Sequence, residues 1–316
     1  MPARIGSVEL PDRSPNFLLC RRAVRPFLIR EKSISIGLSG GADSLALVAA
    51  SRAEGAEVHA ICVDHGLQSG SRAVAETAAE QAVALGCTAE VVGVEVAPGN
   101  VEANARKARY AVLEQSHQPV WVAHTMDDQA ETYLLGALRG NPAGMLPISQ
   151  LGETVLVRPF LSVRRANTAG ACVELALQPW QDPHNSELAF RRVALRHDFL
   201  PQLSTLAGTD AVVPMAQAAQ RAALAADYIA SQRVDINVDA LKQAHPAVRQ
   251  ASIGAWLIDK VGKITWPVVH EVERLVTDWH GQGPIAVGGD EHTRVSVRRR
   301  GKFLVLERTE RDVGRR

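Results

Sequence analysis

Apolar positions in the first half of the chain fall into two alternating patterns. Compact runs at 33–38, 58–64, 88–94 and 120–123 are bounded by turn residues and predict strands, with a fifth at 155–157. Between them, 42–53, 71–85, 102–115 and 128–138 predict helices, and Asn100 is placed to cap the third. Short apolar strands alternating with helices predict an α/β fold, a parallel sheet covered on both faces. Such sheets take ligands beyond the carboxyl ends of their strands. The second half reads differently. It predicts helices over 209–232, 246–260 and 267–279, then short strands at 285–287, 294–298 and 303–306. A boundary is expected near residue 208, giving a domain over 1–208 and a helical linker with a smaller α+β domain over 209–316.

Composition narrows the class without naming a chemistry. The 316 residues are 46% hydrophobic and 22% charged, which excludes a disordered or collagen-like chain. No apolar stretch approaches the ~18 residues of a membrane helix. A net charge of +1 excludes a globally basic coat, and 4% aromatic residues argue against serial base stacking. The start of the chain lacks a charged segment followed by an apolar run, so no signal peptide is expected. Arg13, Arg21, Arg22, Arg25 and Arg30 interleave with Phe17, Leu18, Leu19, Val24 and Phe27, which predicts an amphipathic surface helix, with a transit peptide as the alternative. Cys20, Cys62, Cys87 and Cys172 form no C-x-x-C pair, so zinc, cluster and redox-pair chemistry lack their usual ligands. Free thiols fit a reducing, cytoplasmic compartment.

Chemistry enters at Ser39-Gly40-Gly41-Ala42-Asp43-Ser44, directly after the first strand and opening the first helix. Paired glycines allow a tight turn with backbone N–H groups close to an anion. The helix start adds unpaired donors and positive dipole. Ser39 and Ser44 add hydroxyls, and Asp43 can organise a magnesium ion. No G-K-[ST] follows, so this is not a Walker loop. A plain Gly-Gly turn would explain two glycines but not the whole string.

A second cluster follows the fourth strand: His124-Thr125-Met126-Asp127-Asp128-Gln129-Ala130-Glu131-Thr132. Asp128, Glu131 and Thr132 share one helix face. Their carboxylates could hold magnesium or take a proton from an attacking amine. The plain alternative makes Asp127 or Asp128 the helix cap, with Glu131 completing a capping box.

The first string resembles the PP-loop signature of the ATP pyrophosphatase family. Members adenylate a carbonyl-type oxygen with ATP, release pyrophosphate and let a nucleophile displace AMP. The second string is similar to its version in the lysidine synthetase branch. Colinear segments agree over 33–200: Asp64-His65-Gly66-Leu67, Asn104-Ala105-Arg106-Lys107-Ala108-Arg109-Tyr110, Arg158-Pro159-Phe160-Leu161, Trp180-Gln181-Asp182-Pro183-His184-Asn185, and Phe190 through Arg196. Gln68, Arg192 and a shortened glycine-rich loop, Arg139 through Met145, depart from the branch's pattern.

The resemblance implies a PP-loop domain that binds ATP with Mg2+. Nucleotide would lie on Ser39, Gly40, Gly41, Ala42, Asp43, Ser44, Asp64 and His65, with catalysis at Asp43, Asp127, Asp128 and His124 and metal at Asp43 and Asp128. It also implies lysine and a CAU-anticodon tRNA(Ile) as substrates. Glu131, Arg158, Arg191 and Arg196 are substrate-contact candidates. Arg191 and Arg196 are five apart, so one is expected to face away, and a solvated helix face is the plain alternative. Residues 291–316 hold nine basic against four acidic residues. There Arg298, Arg299, Arg300 and Lys302 could form a rim for RNA, or a plain charged tail. Trp180 is expected to pack rather than stack on a base, and a turn role is the alternative for His65. A tRNA thiolase, a small-molecule amide ligase and a non-enzymatic ATP sensor stay open. The thiolase would bring paired cysteines, the amide ligase would not need the second half, and the sensor would not need the aspartate pair. Oligomeric state stays open, a homodimer included.

Overall fold

The computed structural model describes residues 4–29, 32–68, 70–181, 191–290 and 292–310. Of the features above, Arg30, residues 182–185, Phe190 and residues 311–316 lie outside the described residues. The chain forms two compact units, Met1–Ala223 and Leu224–Arg316.

In the first unit a short antiparallel hairpin, β1 (Arg4–Ile5) and β2 (Val8–Glu9), precedes α1 (Pro15–Val24). Phe17, Cys20 and Val24 recur at helical spacing and are buried, while Arg21 and Arg25 reach Glu54 at 2.6 and 2.7 Å. The basic–apolar alternation is thus an amphipathic helix. Next come β3 (Ser33–Gly37), α2 (Ala42–Ala53), β4 (Glu57–Asp64), α3 (Ser71–Ala84), β5 (Thr88–Gly93) and α4 (Val101–Glu114). Both faces of β3 are covered, because Ile34, Ser35 and Ile36 are all buried. Asn100 caps α4 by accepting the Ala103 N–H at 3.2 Å.

The chain continues through β6 (Val120–Trp121), α5 (Met126–Ala137), β7 (Ile148–Leu151), β8 (Thr154–Val157) and α6 (Arg165–Glu174). Strand order is β5-β4-β3-β6-β8-β7, parallel except for the β7–β8 pair. From β3 the chain runs outward through β4 and β5, then returns to β6 on the other side. The loops after β3 and β6 therefore flank one crevice, the topological switch point of the sheet.

Several elements of this unit escaped the sequence pattern, among them β1, β2, β7 and α6. Strand β7 is an edge strand with only alternate partial burial, joined to β8 through Gly152 at φ +56°. Helix α6 buries only Thr168, Ala171 and Cys172, too small a face to register as an apolar stripe. It packs closely on α1: a Cβ at Gly170 would lie 2.7 Å from the Asn16 side chain. Glu174 accepts the Asn16 and Phe17 N–H groups at 3.0 and 2.8 Å, capping α1 across the sequence. Strand β6 also spans two residues rather than the four expected.

Helix α7 (Arg191–Ala194) runs through a π-helical turn, Leu195–Phe199, into α8 (Leu200–Ala207). Gly208, at φ +65°, ends α8, and α9 (Val212–Ser231) follows. The division between the units falls inside α9.

In the second unit α10 (Val238–Gln243), α11 (Pro246–Val261) and α12 (Trp266–Thr277) precede a three-stranded antiparallel sheet, β9 (Ile285–Gly289), β10 (Thr293–Arg300) and β11 (Phe303–Glu310). Leu241, Ile253, Leu257, Val272, Leu275 and Val297 form its core. No helix among the described residues is long and apolar enough to cross a membrane.

Candidate active site at the switch point of the sheet

Strand β3 delivers the loop Ser39–Ser44 into the crevice. Gly40 sits at φ +82°, a conformation that L side chains rarely adopt, and its carbonyl accepts the Trp180 N–H at 2.9 Å. A Cβ at Gly40 would stand 3.2 Å from the Ala78 Cβ. Gly41 is the helix N-cap, so the first N–H groups of α2 have no intrahelical acceptor and point out of the helix start. Ser44 donates to the Gly41 carbonyl at 2.9 Å, and its Oγ lies 3.1 Å from that of Ser39. These bonds hold the loop in the concave form that an anion requires. Trp180 meets this loop through its backbone N–H and Cβ.

The second motif arrives at the end of β6. Thr125, not Asp127 or Asp128, caps α5, and Asp128 rather than Glu131 completes the capping box. Asp128 accepts both the Thr125 N–H and hydroxyl at 2.8 Å. Glu131 is thereby left free of capping and is wholly buried, facing Arg165 at 3.1 Å, Arg196 at 3.0 Å and Arg192 at 3.6 Å. Asp127 turns elsewhere: it accepts the Arg165 N–H at 2.8 Å and pairs with Arg164 at 3.2 Å. Buried Gln129 clamps the shortened glycine-rich loop with reciprocal 2.8 Å bonds to the Met145 backbone.

Arg165, at the first turn of α6, joins the two motifs. Its guanidinium lies 2.7 Å from Asp128, 3.1 Å from Glu131 and 3.5 Å from Asp43. Burial alone would raise the Asp128 carboxyl, but Arg165 and Thr125 hold it below the usual range. Burial pushes Asp43 up to about 6, even though Thr168 donates to it and Arg165 stands nearby.

Beside the carboxylates lies a cationic group. Arg106 and Arg109 stand 4.8 and 5.5 Å from the Tyr110 ring centroid. Burial, and then Arg158, Arg106 and Arg109, push His124 down to about 3, so its imidazole is neutral at pH 7. Among the described residues, the Nδ1 atoms of His124 and His65 and the Nε of Arg158 are buried without a hydrogen-bond partner. Arg158 is otherwise used by the fold, donating through Nη1 to the Leu146 carbonyl and Ser149 hydroxyl at 2.9 Å. Asp64 organises the turn after β4, accepting from Gly66 at 3.0 Å and Ser71 at 2.7 Å; the Ser71 and Gly66 bonds hold its carboxyl low. His65 is half-buried, and burial lowers its imidazole.

The structure therefore brings together Asp43, Asp128, Glu131 and Arg196, and sets Asp127 to one side. Arg191 is exposed while Arg196 faces Glu131, the split expected from their spacing. Arg165 was missed by sequence reasoning. Its one available signal was a basic pair, Arg164-Arg165, just after the fifth strand. In the second unit the Arg298–Arg300 run divides across strand β10. Arg298 and Arg300 approach Glu307 at 3.7 and 2.6 Å, while Arg299 stacks 5.3 Å from the Trp279 ring centroid. Lys302 pairs with Asp239 at 2.8 Å.

Among the described residues no group of three His, Cys, Asp or Glu side chains is arranged to hold a metal alone. Asp43 still fits a magnesium ion that takes its other ligands from phosphate and water, being a hard oxygen donor at the start of α2. All four cysteines are buried free thiols, and burial pushes Cys62 up to about 11 and Cys20, Cys87 and Cys172 to about 12.

A parallel sheet with an anion-cradling loop at its switch point defines a nucleotide-using α/β class, and the family model described as a PP-loop domain matches residues 20–203. The chain is 46% identical to the tRNA(Ile)-lysidine synthase of Corynebacterium glutamicum, over 97% of this chain and 100% of that one. It is 49% identical to the enzyme of the same name from Corynebacterium efficiens (94% and 96% covered) and 42% identical to that from Rhodococcus erythropolis (94% and 97%). The chain belongs to the tRNA(Ile)-lysidine synthase family. Among solved structures, the U34-tRNA thiolase NcsA from Methanococcus maripaludis shares the fold, with TM-score 0.53 and 16% identity over 65% of this chain and 78% of that one.

Proposed function

We propose that the protein ligates lysine to C2 of the wobble cytidine in a CAU-anticodon tRNA(Ile), using ATP and releasing AMP and pyrophosphate. The observation that carries this reading is the convergence of the Ser39–Ser44 loop with Asp128 and Glu131 on one crevice, in a chain colinear with the lysidine synthases over nearly its full length. The ATP phosphates lie on the loop and the N–H groups of α2, with adenosine toward Asp64 and His65 after β4. The cytidine C2 oxygen attacks the α-phosphate, pyrophosphate leaves, and an adenylated base results. The amine of lysine then attacks C2. As the C–N bond forms, the C2–O bond to AMP breaks and the amine proton passes to a carboxylate.

Asp128 suits that last duty better than Asp127, since it shares Arg165 with Asp43 and Glu131. Asp127 is occupied by Arg164 and the start of α6. Neutral His124 offers a hydrogen bond rather than a charge. Arg158, through its unpaired Nε, and Arg196 add positive potential for the α-phosphate. Asp43, with Asp128 nearby, would hold the magnesium ion, which would supply neutralisation of phosphate charge. In the second unit, Arg298 and Arg300 attract the tRNA backbone, with Arg299 packed as their support. Exposed Arg191 adds a further phosphate contact.

The test is pyrophosphate release by the purified protein with unmodified CAU-anticodon tRNA(Ile), with and without labelled lysine. Label in the RNA together with pyrophosphate supports the reading. Pyrophosphate without label points to another nucleophile, and tight ATP binding without turnover points to a sensor. A persulfide-using thiolase is disfavoured by the buried, high-pKa thiols.

A further inference from the structure

We infer that Arg165 is the positioning residue that couples the phosphate loop to the acidic motif, so that both half-reactions depend on one guanidinium. The inference rests on the ligase reading and deepens it. Asp43 opens α2, Asp128 and Glu131 lie on α5, and Arg165 opens α6; three separate elements meet at this side chain. Three carboxylates gathered in a crevice repel one another, and a cation between them offsets that repulsion. The planar guanidinium has five donors in a fixed fork and can face all three, at 2.7, 3.1 and 3.5 Å. An ammonium, a point charge with three donors, cannot span that arrangement.

Arg165 is also anchored at its own backbone. Its N–H donates to Asp127 at 2.8 Å, and its carbonyl accepts the Thr168 hydroxyl at 2.8 Å. The single Thr168 hydroxyl proton is shared between that carbonyl and the Asp43 carboxyl. The guanidinium is therefore the end of a braced frame. A placeholder that swings away when a substrate cation enters would need no such bracing.

The test compares wild type, Arg165→Lys and Arg165→Met in two assays, with thermal unfolding recorded for each. One assay is tRNA-dependent ATP–pyrophosphate exchange without lysine, and the other is labelled lysine entering tRNA. Arg165→Met keeps the side-chain stem and removes the charge. It is expected to lower kcat in both assays by about 100-fold, the scale of an ångström-level misplacement, with no fall in KM for lysine. Arg165→Lys is expected to fold and to recover only part of either rate. Wild-type rates in the Met variant would reduce Arg165 to packing and overturn the inference. So would loss confined to one assay, or a lower KM for lysine in the Met variant, the mark of a displaced placeholder. Should the Met variant fail to fold, Arg165→Lys decides alone: wild-type rates overturn the inference, and reduced rates at unchanged unfolding temperature support it. Wild-type exchange without label in RNA would sink the ligase reading, while the exchange assay would still test Arg165.

Discussion

The crevice of the first unit and the β10–β11 hairpin of the second both concentrate arginine, yet they use it in opposite ways. In the crevice, Arg165 and Arg196 are largely buried, and the carboxylates they face come from distant parts of the chain. In the hairpin, Arg298 and Arg300 are exposed and share Glu307, a cross-strand neighbour. Buried charge in low dielectric interacts strongly and must be compensated with care. Exposed charge is screened by salt and contributes little to folding. The first arrangement suits the control of reacting groups, and the second suits loose attraction of a polyanion.

The sharpest way to break this contrast is Asp128→Asn. It should cut lysidine formation by about 10²–10⁴-fold, the usual worth of a positioned acid–base group. ATP affinity by equilibrium dialysis should stay near wild type. Retained activity would remove the acidic motif from the chemistry.

Glu131→Ala should cost about 1–3 kcal/mol of stability, because it strips partly buried guanidiniums of their shared, wholly buried carboxylate. The urea midpoint measures this, and a surface-like loss would show the cluster to be better solvated than its burial implies. Gly40→Ala asks for a side chain at φ +82°. It should cost about 1–2 kcal/mol and weaken ATP binding, read by calorimetry of unfolding and of ligand binding.

Asp43 supplies a pH test. Its folded-state pKa is raised to about 6. The stability it contributes is therefore fully present below its unfolded value, ~3.9, and is lost as pH rises through about 6. In metal-free buffer, Asp43→Asn should be more stable than wild type at pH 7, with the gain gone by about pH 4. Urea titrations at several pH values measure it. The smallest effects belong to the hairpin. Arg298→Ala and Arg300→Ala should each leave stability within ~0.5 kcal/mol and reduce the salt slope of tRNA binding by ~1. Loss of catalysis at saturating tRNA would break the distinction between the two regions.

Much of the first unit was legible because its logic is local. The buried β3 run, the loop of two glycines and the Asn100 cap each follow from residues within a few positions of one another. The acidic motif was legible as chemistry but not as geometry. Three acids near a helix start look interchangeable until Thr125 takes the cap, Asp128 completes the box and Glu131 is freed to face arginines. Helix α6 was not legible at all, since a face of Thr168, Ala171 and Cys172 carries almost no hydrophobic period.

By itself the amino-acid sequence determined the alternation of strands and helices, the phosphate loop and the presence of an acidic cluster, because backbone preference and short-range spacing act along the chain. The tertiary structure alone decided which carboxylates share a cation. Arg165 is separated from Asp43 and Asp128 by long stretches of chain and meets them only once α6 packs beside α2 and α5. Electrostatic energy depends on distance through space and on exclusion of water, and neither quantity exists until the sheet has assembled.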